Sequence, residues 1–170
     1  MSDFTLRFAT REDALVLHSL IRDLADYEKL LDQCVLGVEN LVENLWETPC
    51  GAEALIAEMD GGAVGYALFF PTFSTFLGMP GLHLEDLFVK PEFRGHGIGL
   101  ALISAMGKIA VERGYQRVEW AVLDWNQPSI ELYRSLGAAS LNEWIPMRVD
   151  GEGIARLAAV SDAAITSPSL

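Results

Sequence analysis

Apolar positions recur along this chain with two different periods, and the switches between them outline its elements. Residues 4–9 alternate apolar and polar side chains, the period of a half-buried strand, and are predicted to form an edge or near-edge strand. From Ala14 the spacing turns helical: Ala14, Leu17, Leu20, Ile21 and Leu24 share one face of a helix ending near Tyr27, with Thr10 and Asp13 as its cap-like start. A short second helix is predicted over 38–46. Two apolar runs, 54–59 and 63–70, flank Asp60-Gly61-Gly62, which reads as a hairpin turn. The mixed stretch 73–81 is predicted as a loop over the sheet. Residues 84–89 form the next strand, which should stop near Lys90 because Pro91 cannot continue a ladder. A helix over 97–113 ends at Gly114, followed by a strand at 117–123 and a turn at 124–127. Pro128 opens a helix that runs to about Leu136, where Gly137 stops it. A last strand is predicted at 144–149 and a short helix at 153–159. No repeat or linker interrupts the chain, so residues 1–160 are expected to form a single domain, with 161–170 a frayed tail. Strands alternating with helices after a hairpin predict an α/β chain whose sheet is mixed and only partly parallel.

Between the strand at 84–89 and the helix after it lies Arg94-Gly95-His96-Gly97-Ile98-Gly99, with glycines at alternate positions. Glycine lets the backbone turn tightly and lets a ligand approach its N–H groups. A helix start behind such a loop adds unpaired donors and the positive end of a dipole, a setting for phosphate or pyrophosphate. The backbone N–H groups of Arg94, Gly95, His96, Gly97, Ile98, Gly99 and Leu100 are the candidate donors. The spacing is neither Gly-x-x-x-x-Gly-Lys-Ser/Thr nor Gly-x-Gly-x-x-Gly, which argues against a Walker loop or a dinucleotide fingerprint.

Composition narrows the partner. Hydrophobic residues make up 51% of the 170 positions, which excludes a disordered chain, and the formal charge of −12 repels nucleic acid and anionic lipid while favouring cations. The strongly apolar run 63–70 ends at Pro71 and is far too short to span a bilayer. Cys34 and Cys50 lack metal-ligand spacing and His18, His83 and His96 are scattered, so no metal is expected. Two unpaired thiols and no apolar leader point to the cytoplasm.

The glycine loop with its flanks, Leu84-Glu-Asp-Leu-Phe-Val-Lys-Pro-Glu-Phe-Arg-Gly-His-Gly-Ile-Gly-Leu-Ala-Leu102, resembles the coenzyme A signature of the GNAT superfamily of N-acetyltransferases. Leu24-Ala-Asp-Tyr-Glu28 and Val122-Leu-Asp-Trp-Asn-Gln-Pro-Ser-Ile-Glu-Leu-Tyr133 extend the likeness to the spermidine/spermine (diamine) acetyltransferase family, in register from about Phe4 to about Leu157. The resemblance implies a GNAT-type, mostly antiparallel mixed sheet flanked by helices, with splayed middle strands that admit the pantetheine arm. It also implies acetyl-CoA as cosubstrate, a small cationic amine as acceptor, and a homodimer. Two departures bear on the acceptor. Residues 72–76 lack the acidic residue and tryptophan associated with polyamine-preferring members, and Val122-Leu-Asp-Trp-Asn-Gln127 looks more like the branch that acetylates thialysine and related amino acids.

Acetyl transfer from a thioester to an amine needs a held cofactor, a neutral amine, a stabilised oxyanion and a proton for the thiolate. By resemblance, the backbone of Leu87, Phe88 and Val89 holds the pantetheine arm, and Asn126 and Ser129 anchor the cofactor. Tyr133 matches the family's Asn-x-Pro-x-Ile-x-x-Tyr pattern as general acid, against the plainer reading of a half-buried helical tyrosine. Adjacent residues of a strand point to opposite faces, so only one of Glu85 and Asp86 is expected to see a given substrate atom directly. Glu85 is the candidate that faces the amine, directly or through water. Asp86, Tyr27, Glu28, Glu119, Trp120 and Glu143 are further substrate contacts by resemblance. No cysteine or serine nucleophile accompanies the motif, which favours direct attack by the amine. A protein N-terminal or lysine acetyltransferase and a non-catalytic acetyl-CoA-binding regulator are the competing expectations.

Overall fold

The alternating runs pair in chain order, as short connections favour. The computed structural model describes residues 3–48, 50–161 and 163–165. Strands β1 (Phe4–Phe8), β2 (Glu53–Met59), β3 (Gly62–Ser74), β4 (Met79–Val89) and β5 (Val118–Trp120) form one sheet in the order β1-β2-β3-β4-β5. The first four are antiparallel neighbours, whereas β5 runs parallel to β4. This is the mixed, mostly antiparallel sheet expected.

Helix α1 (Ala14–Tyr27) buries Leu17, Leu20 and Leu24 with Tyr66 and Phe88 on one face of the sheet. Its start is tied down before it begins: the Thr10 N–H donates to Asp13 Oδ2 at 2.7 Å, and Arg7 grips the same carboxylate with two bonds of 2.7 Å. Helix α2 (Val38–Val42) continues as a wider π-helical turn, Glu43–Glu47. Helix α3 (Ile98–Glu112) contacts β4 and β3 and buries Ile98, Leu102, Met106 and Ile109. Helices of both groups thus cover the sheet, which explains why Leu55 and Ile56, consecutive in β2, are both buried. Helix α4 (Gln127–Ser135) and helix α5 (Glu152–Ala158) follow.

The chain gathers into two compact units, Met1–Leu132 and Tyr133–Leu170. The first holds the whole sheet with α1 to α3. The second holds the end of α4, an irregular stretch and α5.

Three predicted boundaries are corrected. Residues 73–81 are not a loop: β3 runs on through Pro71 to Ser74 and β4 begins at Met79, so a turn joins two long strands. Gly81 makes this pairing possible, because a Cβ there would stand 2.9 Å from Thr72 Oγ1. The strand predicted at 117–123 stops at Trp120, since β4 offers it partners only through Leu84. The strand predicted at 144–149 does not form; among the described residues no strand pairs with it, and Trp144, Ile145 and Met147 stand exposed. A two-residue period makes a segment fit for a strand but cannot supply a neighbour. Of the tail expected to fray, residues 162 and 166–170 lie outside the described residues.

Candidate functional site

The register of β3 against β4 shifts in the middle. Leu68 pairs with Asp86 and Phe69 with Leu84, so Glu85 is an extra residue on β4, a bulge. A bulge breaks the two-residue alternation. Before it, His83 faces the side of Phe70, with their rings stacked at 5.0 Å, while Leu84 is buried. After it, Asp86 and Phe88 share that same side with Tyr66, while Leu87 and Val89 approach Gly99 of α3. Glu85 is left exposed and Asp86 is turned inward.

Asp86 meets a buried partner that the sequence did not flag. The hydroxyl of Tyr66, fully buried in an otherwise apolar cluster, donates to Asp86 Oδ2 at 2.9 Å. Burial pushes the Asp86 carboxyl up to about 6; the Tyr66 bond opposes this, and the charges of Glu85 and Glu28 add to it. Tyr66 is raised well above the ordinary phenol range, by burial first and then by Asp86. Glu28, just past the end of α1, is also raised by burial. The sequence signs of this pair are a lone hydroxyl in the apolar run 63–70 and the acidic pair Glu85-Asp86 in the apolar strand that follows.

The cofactor candidates follow on the same strand. The last pair between β4 and β5 is Leu84 with Trp120, so from Glu85 to Val89 the β5-facing edge of β4 has no neighbouring strand among the described residues, and of its groups the Val89 carbonyl is taken by Arg94 Nε at 3.0 Å. On the other edge β3 comes close, because Gly65 has no side chain; a Cβ there would stand 2.6 Å from the Phe88 carbonyl oxygen. Beyond Val89 the chain makes a short 3-10 turn, Pro91–Phe93, and enters the loop. Gly97, at φ 81°, holds the left-handed conformation that caps α3. The first helical bond runs from the Ala101 N–H to the Gly97 carbonyl, so the N–H groups of Ile98, Gly99 and Leu100 have no helical acceptor. Arg94 drops out of the predicted donor set: its N–H already donates to the Pro91 carbonyl at 3.2 Å. The donors left for an anion run from Gly95 to Leu100, with His96 exposed and its ring turned to the carbonyls of Phe93 and Arg94.

Arg94 also does not pair with Glu92, the plainer alternative for it. Its Nε donates to the Val89 carbonyl at 3.0 Å, and its guanidinium lies 4.4 Å from the centre of the Tyr27 ring. Tyr27 in turn meets Trp125 at 5.8 Å. This stack ties the start of the glycine loop to the end of α1 and to the turn before α4, the turn that contains Asn126. The Asn126 carbonyl accepts the Ile130 N–H at 3.1 Å, and Ser129 lies half-buried in the first turn of α4.

On β5, Glu119 is bound by Arg117 at 2.8 Å and is the register partner of His83, while Trp120 is half-buried. The first unit therefore brings together Tyr27, Glu28, Glu85, Asp86 and the glycine loop around the forked end of β4. Tyr133 and Glu143 belong to the second unit. Tyr133 is half-buried on α4, and burial raises its phenol; Glu143 is exposed. No group of histidine, cysteine or carboxylate side chains among the described residues has the makings of a metal site.

A mixed sheet whose β4 and β5 part beside a glycine loop at a helix start defines an acetyltransferase of the GNAT type, and residues 20–138 match the Acetyltransferase (GNAT) family, to which this chain belongs. It is a GNAT N-acetyltransferase. Among characterised relatives it is 38% identical over 170 residues to the thialysine N-epsilon-acetyltransferase of Bos taurus, covering 93% of this chain and 99% of that protein. It is 30% identical over 149 residues to the human spermidine/spermine N(1)-acetyltransferase-like protein 1, covering 84% of this chain and 21% of that protein. In fold it resembles an integron cassette protein of V. cholerae, with a TM-score of 0.78, 24% identity, and coverage of 93% of this chain and 98% of that one.

Proposed function

We propose that this enzyme takes its acetyl group from acetyl-CoA and delivers it to a primary amine of a small cationic acceptor, with thialysine-like amino acids favoured over polyamines. One stretch of backbone supports the cofactor half: the open edge Glu85–Val89, which runs directly into the donors at Gly95 to Leu100. A pantetheine arm carries amides that bond to an open strand edge, and a pyrophosphate suits the donors beyond it. The acceptor half is supported by Glu28, Glu85 and Asp86, three carboxylates of which the first two act by charge on the third. A cationic amine supplies the counter-charge they lack, and its arrival lowers the proton affinity of Asp86.

In this reading the neutral amine attacks the thioester carbonyl directly. The nitrogen loses one proton by way of Glu85 and water, and Tyr133 donates the proton that the departing thiolate takes up. Preference for a thialysine-like acceptor follows the relative matched along almost its full length and the residues at 122–127. A homodimer is part of the same proposal, favoured by the exposed apolar residues at 144–149; sedimentation at micromolar concentration tests it. A cytoplasmic setting agrees with the free thiols of Cys34 and Cys50. No helix among the described residues is long and apolar enough to cross a membrane.

The test is release of CoA from acetyl-CoA against a panel holding thialysine, lysine, ornithine, putrescine, spermidine and a peptide N-terminus, read as kcat/KM. The expected result is turnover of the small amines with thialysine ahead of spermidine. Turnover of the peptide alone would replace this reading with a protein acetyltransferase, and binding of acetyl-CoA with no turnover would make the chain a regulator.

A further inference from the structure

We propose that His83 is a proton-relay residue, which accepts through Glu85 the proton that the acceptor's ammonium must lose; the inference rests on the amine-acetylating reading above. His83 occupies the last stretch in which β4 still pairs with β5, directly before the bulge. Its Nε2 lies 3.8 Å from Glu85 Oε2, and its ring is stacked on Phe70 with an angle of 28° between planes. Glu85 approaches from its own strand, Phe70 covers it from β3, and Glu119 stands beside it in the β5 register with its carboxylate bound by Arg117. The stacking fixes the ring plane, and the side chain keeps about a quarter of its surface open, at 28%, so a proton can leave to water.

The chemistry calls for such a group. An aliphatic ammonium has a pKa of about 10, against about 4.3 for a glutamic acid and about 6.5 for an imidazole as classes. Proton transfer to a carboxylate alone is thus uphill by roughly six powers of ten, and to an imidazole by roughly four. A carboxylate attracts the cation and also stabilises its charged form, whereas an imidazole as a class offers the proton a better resting place. Two protons leave the nitrogen in the complete reaction. The first passes by way of Glu85 to His83 Nε2 and then to solvent, and the lone pair it frees forms the new C–N bond. The second leaves after attack and balances the proton that the thiolate acquires as the C–S bond breaks. No other reactant is needed.

The test compares two acceptors in the full-length protein: 1,3-diaminopropane, which is protonated at neutral pH, and 2,2,2-trifluoroethylamine, whose fluorines leave it largely neutral there. His83→Gln removes the titrating group and His83→Phe keeps an aromatic ring against Phe70. At pH 7 both variants should lose about 10- to 100-fold in kcat/KM with the diamine, up to the low end of the roughly 10²–10⁴-fold that acid–base catalysis supplies. They should lose less than threefold with trifluoroethylamine, keep the wild-type KM for acetyl-CoA, and recover on the diamine as pH rises toward 10. Equal losses on both amines would make His83 structural, and no loss on the diamine would remove it from the proton path; either overturns the proposal. A wild-type protein that acetylates neither these two amines nor thialysine would instead overturn the function proposed above, and the relay would fall with it.

Discussion

Asp13 and Asp86 are both largely withdrawn from solvent, yet their surroundings do opposite things to them. At the corner of β1 and α1, Arg7 closes on Asp13 with two short bonds and on Glu58 of β2 with a third at 2.8 Å, while the Thr10 N–H adds another. That carboxyl is held well below the usual range, chiefly by Arg7. At the end of β4, Asp86 has only the neutral Tyr66 hydroxyl and two other carboxylates near enough to act on it, and it is pushed up to about 6. The first region completes every charge within the chain and holds a strand, its neighbour and a helix together. Among the described residues, the second leaves Asp86 without a cation, a stretch of strand edge without a neighbouring strand and N–H groups at the start of α3 without helical acceptors. A folded chain tolerates such unfinished polar groups where a ligand completes them.

The largest expected effect tests the unfinished donors. Gly97→Glu puts a side chain and a negative charge at a left-handed position in the mouth of the loop. Affinity for acetyl-CoA should fall by about two powers of ten or more, while strain at that φ costs about 1–2 kcal/mol of stability. Calorimetric titration with near wild-type affinity would take the loop out of the cofactor site.

Asp13→Asn should break the finished corner. The Arg7 guanidinium loses a charge-assisted partner, and stability should drop by about 2–3 kcal/mol at pH 7 with kcat unchanged. Because the Asp13 carboxyl is depressed in the folded state, its contribution is present above the ordinary carboxylate range and vanishes as pH falls through the folded value. Denaturant unfolding at several pH values measures this, and a mutant as stable as wild type at pH 7 would contradict it.

Asp86→Asn should do the reverse. The folded carboxyl titrates near 6 against an ordinary 3.8, so stability is greatest below about pH 4, declines as pH rises through 6 and is level above that. Asparagine keeps an acceptor for Tyr66 and discards the charge, so the variant should gain about 1–3 kcal/mol at pH 8 and nothing near pH 4. Its kcat/KM for cationic amines should fall at the same time. Loss of stability at pH 8 would show that Asp86 is a structural charge like Asp13.

The smallest effect concerns Tyr133. Burial raises its phenol, which makes proton delivery to a thiolate more uphill than for an ordinary tyrosine. Tyr133→Phe should therefore lower kcat by about tenfold, less than the roughly hundredfold at which general acid catalysis usually begins, and leave acetyl-CoA affinity unchanged. A variant that loses cofactor binding along with turnover would make Tyr133 an anchor.

Much of this protein could be read from residues near one another in the chain. The capped start of α1, the Gly61 hairpin, the stop at Pro91 and the left-handed glycine before α3 are all local, set by turn chemistry and period. The glycine loop and its flanks were enough to point to the family. Glu85 and Asp86 were legible as an acidic pair in an apolar strand, but their division of labour was not. It depends on the bulge, and a bulge is a property of how β3 and β4 pair, not of either strand alone. Tyr66 stands apart from Asp86 in sequence and becomes its partner only across that register. The same holds for Arg94 on Tyr27 and for His83 between Phe70 and Glu119. The strand expected at 144–149 failed for the complementary reason, since a strand forms only where another backbone answers its hydrogen bonds. The sequence by itself determined most of the elements, the family and the acidic pair on β4. The tertiary structure decided which carboxylate is buried, which donors remain for a ligand and where β4 and β5 part, because each depends on contacts between segments distant in sequence.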